Sequence, residues 1–255
     1  MGTVNVVDTS SVRSNVSEAE WATRVELAAC YRLAALEGWT DLTATHISAR
    51  VPDEDAFLLN PCDLYFEEIT ASSLVKMDFG RNIVLDNGYH FNPAAYTIHS
   101  AVLMGRDNVD CAIHTHTNAG MAISAMKCGL LPITQHALRF YNRVSYHKYE
   151  GIALDPNERE RLISDIGTNE VMILENHGLL SVGINIGNAF EAMFYLEKSC
   201  QSQLDAMRAG TELITPTPEV CEHTAQQYGA YETFHQKDWE AALRKAHRDS
   251  PGFDQ

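Results

Sequence analysis

Nowhere in the 255 residues do eighteen apolar side chains run together, and Met1 to Asn15 hold no apolar signal region. A membrane-spanning helix needs about twenty such residues, and a secretory leader needs a shorter apolar stretch behind a basic start. With neither in view, the expected location is cytoplasmic and no membrane partner is expected. Basic residues are scarce: 19 Lys and Arg stand against 34 Asp and Glu, a formal net charge of −15. Binding to nucleic-acid phosphates needs clustered Lys and Arg. No such cluster occurs, so nucleic acid is not an expected partner. The six cysteines (Cys30, Cys62, Cys111, Cys128, Cys200, Cys221) contain no Cys-x-x-Cys pair and lie mostly within apolar segments. They read as reduced core residues of a cytosolic protein. There is no internal repeat and no linker rich in Pro, Gly or Ser.

What is present is an alternation of helical and strand patterns. Ser17-Glu18-Ala19-Glu20 matches a capping box, in which the Ser and Glu side chains each satisfy an orphan backbone donor. Trp21, Val25, Ala28, Tyr31 and Ala35 follow at helical spacing, and Gly38 ends the helix. Strands are expected at 46–51, 57–60, 75–79, 82–85, 109–114, 144–147, 170–174 and 179–183, and helices at 93–104, 119–127, 156–166, 186–208 and 217–247. The run Glu158-Arg159-Glu160-Arg161 reads as a solvated helix face. This pattern predicts a loose segment over 1–16, one α/β domain over 17–210 and a helical C-terminal tail over 211–255.

Residues 111–118 read Cys-Ala-Ile-His-Thr-His-Thr-Asn, and residues 175–179 read Glu-Asn-His-Gly-Leu. Histidines at i and i+2 of a strand end point to the same side of a sheet. A third, fixed in a turn before a glycine, completes a three-nitrogen face. Three protein ligands with a position left open is the arrangement of a catalytic zinc-type site. His114, His116 and His177 are therefore the candidate ligands of a divalent metal, zinc foremost, with manganese, cobalt or iron as alternatives.

Thr43 to Arg50 (Thr-x-x-x-Ile-Ser-x-Arg), His-x-His and Asn-His-Gly-Leu before a long helix occur here in the order that resembles the class II aldolase/adducin family. Segments 69–76 (Ile-Thr-Ala-Ser-Ser-Leu-Val-Lys) and 124–132, with Tyr146-His147-x-Tyr149-x-Gly151, look like its adducin-related branch. The resemblance covers roughly residues 20–210. It implies a three-layer α/β/α sandwich around a mostly antiparallel central sheet. It also implies a homotetramer with sites near subunit interfaces, and metal ligation by the three matching histidines.

The pattern also breaks. The family's aldolases place a glutamate, which serves as acid/base, four residues before the histidine of the central helix; counting back from His99 gives Ala95. Their phosphate-cradling positions correspond here to Thr45-His46, Cys62-Asp63 and Pro93-Ala94. A phosphate about 4 Å from Asp63 would meet roughly 4 kcal/mol of repulsion at an effective dielectric near 20, so a non-phosphorylated substrate is expected. His46, Asp63 and His99 are the candidates for substrate contact, with structural hydrogen bonding as the alternative for His99. A tyrosine carried by some aldolases falls on His136, and histidine is a residue type that can trade protons at physiological pH. His136 or Tyr141 is the expected proton carrier, with His147 behind them. Tyr228, Tyr231 and Phe234 either close a neighbouring subunit's site or pack on the body.

Two functions follow. One is a metal-dependent lyase that cleaves a C–C bond of a small hydroxy or carbonyl substrate, by retro-aldol release or decarboxylation. The other is a non-catalytic, adducin-like interaction protein that retains the histidines.

Overall fold

The computed structural model describes residues 9, 11–155, 157–230 and 232–255, the side chains of 232–235 excepted. Short β-prone runs form β1 (His46–Arg50), β2 (Ala56–Leu59), β3 (Val75–Asp78), β4 (Ile83–Leu85), β5 (Cys111–Thr115), β6 (Val144–His147), β7 (Val171–Leu174) and β8 (Gly178–Gly183). They join in an eight-stranded sheet of order β4-β3-β2-β1-β5-β8-β7-β6. Neighbours are antiparallel except β6 with β7, which run parallel. The helices are α1 (Glu18–Leu36), α2 (Pro93–Gly105), α3 (Asn118–Ser124), α4 (Gln135–Leu138), α5 (Glu158–Ile166), α6 (Ile186–Arg208), α7 (Pro218–Gly229) and α8 (Glu232–Asp249).

Alternation along the strands sends side chains to two cores. Ile47, Ala49, Cys111, Ile113, Val171, Ile173 and Leu179 pack with Leu27 and Tyr31 of α1 and Ala189 and Met193 of α6. Phe57, Leu59, Val75, Met77, Ala112, Met172 and Leu180 pack with Ala95, Ile98 and Val102 of α2 and Leu162 and Ile166 of α5. Each large apolar side chain so buried contributes about 1.5–3 kcal/mol. The result is the expected mixed α/β sandwich with a mostly antiparallel sheet. Because both faces are covered, β7 and β8 are buried at every position.

The beginning of α1 departs from the capping box. Ser17 Oγ accepts the Glu20 amide at 3.0 Å as expected. The Glu20 carboxylate, however, turns inward to accept from Arg24 Nε at 2.8 Å and Lys76 Nζ at 2.7 Å. Lys76 also meets Glu54 at 2.6 Å, while Arg24 Nη1 donates to the carbonyls of Ala71 and Leu74. Leaving a buried guanidinium unpaired costs far more than leaving a helix-end amide to water, so Glu20 serves the interior.

The tail is integral to the body. The expected helix over 217–247 breaks at Ala230 into α7 and α8. α8 returns over α1 and α6, where Trp239 Nε1 donates to Glu26 at 2.5 Å and its ring covers Gly187, which has no room for a Cβ. The Ala71 and Ser72 amides then donate to the carbonyls of Phe253 and Gln255 at 2.7 and 2.9 Å. Within the expected loose segment 1–16, residues 1–8 and 10 lie outside the described residues, whereas Arg13–Asn15 form a 3-10 turn and Val12 is buried. Pro156, the expected start of α5, is also outside them. Among the described residues no helix is long and apolar enough to cross a membrane.

Glu20→Ala strips Arg24 of its carboxylate and should destabilise the fold by roughly 3–5 kcal/mol, read from the urea midpoint at unchanged slope. A loss of less than about 1 kcal/mol, the range of an exposed pair, would contradict the interior role.

Candidate metal centre

β5 ends at Thr115, and Thr117 caps α3 by accepting the Gly120 amide, so His116 occupies the junction of strand and helix. His177 closes the turn between β7 and β8. Its amide bonds the Leu174 carbonyl at 3.0 Å, while Asn176 adopts the left-handed conformation at φ 57° that asparagine tolerates. Gly178 must be glycine, because a Cβ there would land on the Thr115 carbonyl oxygen. These local choices bring His177 against the end of β5. The candidate ligand atoms of His114, His116 and His177 lie within 4.8 Å of one another.

Hydrogen bonding fixes which nitrogens face inward. His114 Nδ1 stands 2.9 Å from the Leu179 carbonyl oxygen, and His116 Nδ1 stands 2.9 Å from Asp41 Oδ2. Neither oxygen has a proton to give, so each Nδ1 carries the hydrogen, and in the neutral rings each Nε2 is left with a lone pair. Those two Nε2 atoms face each other at 2.9 Å. Two bare acceptors that close repel, and a cation between them removes the repulsion. The donor set thus fits a divalent metal of the kind imidazole prefers. Asp41, in the loop before β1, is the partner that orients a ligand from outside. Sequence reading missed it, since an acid 75 positions from its histidine gives no local signal.

Behind the triplet lies a second histidine pair. His46 opposes His114 across β1 and β5, and their rings stack at 5.2 Å. His46 Nδ1 meets His99 Nε2 at 3.2 Å, and His99 Nδ1 meets Ser48 Oγ at 2.5 Å. His99 has no exposed surface, and both of its nitrogens are engaged, one by His46 and one by Ser48. Burial drives His99 down to about 3, and burial with the field of His116 and His147 drives His177 down to about 4. Burial first, then the neighbouring histidines, lowers His46 and His114 well below the ordinary imidazole range.

Other expected residues fall elsewhere. His136 lies on α4 with its ring 4.7 Å from Tyr195 of α6, and Tyr141 follows α4, its carbonyl accepting from Arg143. The described contacts of both are with this region and not with the triplet. Asp63 is exposed in the loop after β2, where its charge is felt by Cys62 and Tyr89. Tyr228 packs on the body, accepting from Gln135 at 3.4 Å; Tyr231 and the Phe234 side chain lie outside the described residues.

The run 158–161 is not uniformly solvated. Arg161 pairs with Glu150 in the open, but Glu158 is buried 3.4 Å from His147 Nε2, which has no hydrogen bond among the described residues. His147 Nδ1 is held by Asp165 at 2.7 Å. His147, Tyr149, Glu158 and Ile98 share a crevice with His177, and the Tyr149 ring is 6.3 Å from that of His177.

Residues 25–204 match the family model of the Class II Aldolase and Adducin N-terminal domain. A Pseudomonas aeruginosa protein provisionally named an aldolase class 2 protein is 47% identical over 251 residues, covering 96% of this chain and 97% of that one. Rattus norvegicus alpha-adducin is 45% identical over 186 residues, which are 71% of this chain and 25% of the adducin. Among solved structures, an aldolase II superfamily protein from Pseudomonas syringae superimposes with a TM-score of 0.91 at 48% identity, covering 96% of this chain and 99% of that one. The L-fuculose 1-phosphate aldolase from Glaciozyma antarctica does so with a TM-score of 0.80 at 25% identity, covering 97% and 94%.

Two outcomes are expected. Asp41→Ala should weaken zinc binding roughly ten- to a hundredfold in competition with a chromophoric chelator, and unchanged affinity would remove Asp41 from the site. In the metal-free protein, the buried rings are neutral in the fold but titrate near 6.5 in the unfolded chain. As pH falls the unfolded state binds protons first, so stability is full above about pH 6.5 and declines toward about 4. A urea midpoint that stays flat over that window would contradict the burial of these rings.

Proposed function

Because the chain belongs to the class II aldolase and adducin family, we propose that it is a cytoplasmic, divalent-metal-dependent lyase that breaks a C–C bond in a small, non-phosphorylated hydroxy or carbonyl compound. Retro-aldol cleavage and decarboxylation are the two reaction types that fit. The observation that carries the reading is the convergence of the His114 and His116 Nε2 lone pairs with His177 beside them. When bound there, the ion supplies a Lewis acid that polarises a carbonyl and stabilises negative charge on its oxygen. Zinc suits three imidazoles, with manganese, cobalt or iron as alternatives. A homotetramer with sites near its subunit boundaries is part of the same proposal.

The chain's own residues narrow the substrate and the proton path. Ala95 is buried against apolar neighbours and its methyl group moves no proton. Ile98, one helical turn further, lines the crevice shared by His147, Tyr149, Glu158 and His177. Proton transfer is assigned to Tyr149, in preference to His136 and Tyr141, because its ring stands beside His177. The exposed carboxylate of Asp63 and the His46 ring at positions where aldolases cradle phosphate support a non-phosphorylated substrate.

One observation favours a second reading. Identity to alpha-adducin, 45% over 71% of this chain, exceeds the 25% to the fuculose-phosphate aldolase, which suits a non-catalytic interaction protein retaining the histidines.

A panel of non-phosphorylated hydroxy acids, aldol adducts and sugar phosphates, assayed with the zinc-loaded protein, separates these readings. Turnover of hydroxy acids or aldol adducts, lost in His177→Ala, is the expected result. Turnover confined to sugar phosphates would overturn the substrate class. Full metal content with no turnover of any member would favour the interaction protein.

A further inference from the structure

The hydrogen of the Ser48 hydroxyl decides what His46 offers to the site. Ser48 has no exposed surface, and its side chain has one partner among the described residues, His99 Nδ1 at 2.5 Å. A buried O–H needs an acceptor, so Ser48 donates and His99 Nδ1 accepts. The His99 hydrogen then sits on Nε2 and is donated to His46 Nδ1 at 3.2 Å. His46 Nδ1 is thereby an acceptor, and the His46 hydrogen resides on Nε2. The opposite order would leave the Ser48 hydrogen buried without an acceptor. Adding a proton to either ring gives the same outcome at His46 Nε2, which carries a hydrogen in each case.

The ring that carries that N–H borders the metal centre. His46 is the cross-strand partner of His114, their rings stack, and His46 feels the fields of His116 and His177. Its Nε2 makes no hydrogen bond among the described residues, and it is not among the sealed, unpartnered atoms as His147 Nε2 is.

Resting on the lyase reading, we propose that His46 is the oxyanion donor of the site and that the substrate is a hydroxy or keto carboxylic acid. A carboxylate has two acceptor oxygens, one for this single N–H and one for the cation. A phosphate needs more donors than this single N–H. Ser48 and His99 act through His46 as positioning residues, fixing its tautomer.

The test has two arms. Nitrogen-15 NMR of metal-free protein labelled at histidine, with His46 assigned from its missing signal in His46→Gln, reads the tautomer directly. Protonated Nε2 and bare Nδ1 are expected, with Ser48→Ala shifting hydrogen toward Nδ1. Oxalate is then titrated into zinc-loaded protein. His46→Phe should weaken oxalate binding roughly ten- to a hundredfold, with zinc affinity retained, while His46→Gln, which keeps an N–H, should restore most of it. A bare Nε2 in the parent protein, or oxalate affinity equal in parent and His46→Phe, would overturn the donor role. Failure to bind zinc at all would instead sink the lyase reading, and the donor role with it.

Discussion

Two imidazole lone pairs 2.9 Å apart, each pinned by a hydrogen bond on the far side of its ring, are the constraint around which the rest of the molecule is arranged. The Leu179 carbonyl can pin His114 because β8 is zipped to β5 with His114 opposite Leu180. Asp41 can pin His116 because the loop before β1 returns to the end of β5. Gly178 and Asn176 let the β7–β8 turn approach closely enough to add His177. Without a cation this is a costly meeting of acceptors in a half-buried place. The sheet and its two helical layers supply the rigidity that holds it.

A second consequence is the polarity of the floor. His46, His99 and Ser48 form a hydrogen-bonded line beside the triplet. Ala95 brings only a methyl group to α2, while acidic and phenolic groups stand in the crevice next to His177. Burial raises the pKa of Glu158 there, with His147 opposing the shift. On the proposed reading, the chain keeps a centre that polarises a carbonyl and differs in how it holds an anion and moves a proton. Such a change fits a chain with relatives both among the aldolases and among the adducins.

Much of this was legible in the sequence, where periodicity is strong. His-x-His on an apolar strand puts both rings on one side by the two-residue repeat, and Asn-His-Gly before Leu179 marks a tight turn. The eight strands and the long helices α1, α2 and α6 followed from the same patterns. What stayed hidden depends on tertiary partners. Asp41 is a loop acid until the fold brings His116 to it. Glu20 looks like a cap until Arg24 and Lys76 compete for its carboxylate. In the run 158–161 alternating charges give no sign that Glu158 turns inward to His147 and Arg159 to Tyr96 and Ser100. The four-residue helix α4 is too short to show a period, and it carries His136 to Tyr195.

The most direct measurement is the metal content of protein purified without chelators, by mass spectrometry, in the parent and in His114→Ala. About one divalent ion per chain is expected in the parent, and its loss in the variant. A content far below one per chain, or one unchanged by removing His114, would contradict it.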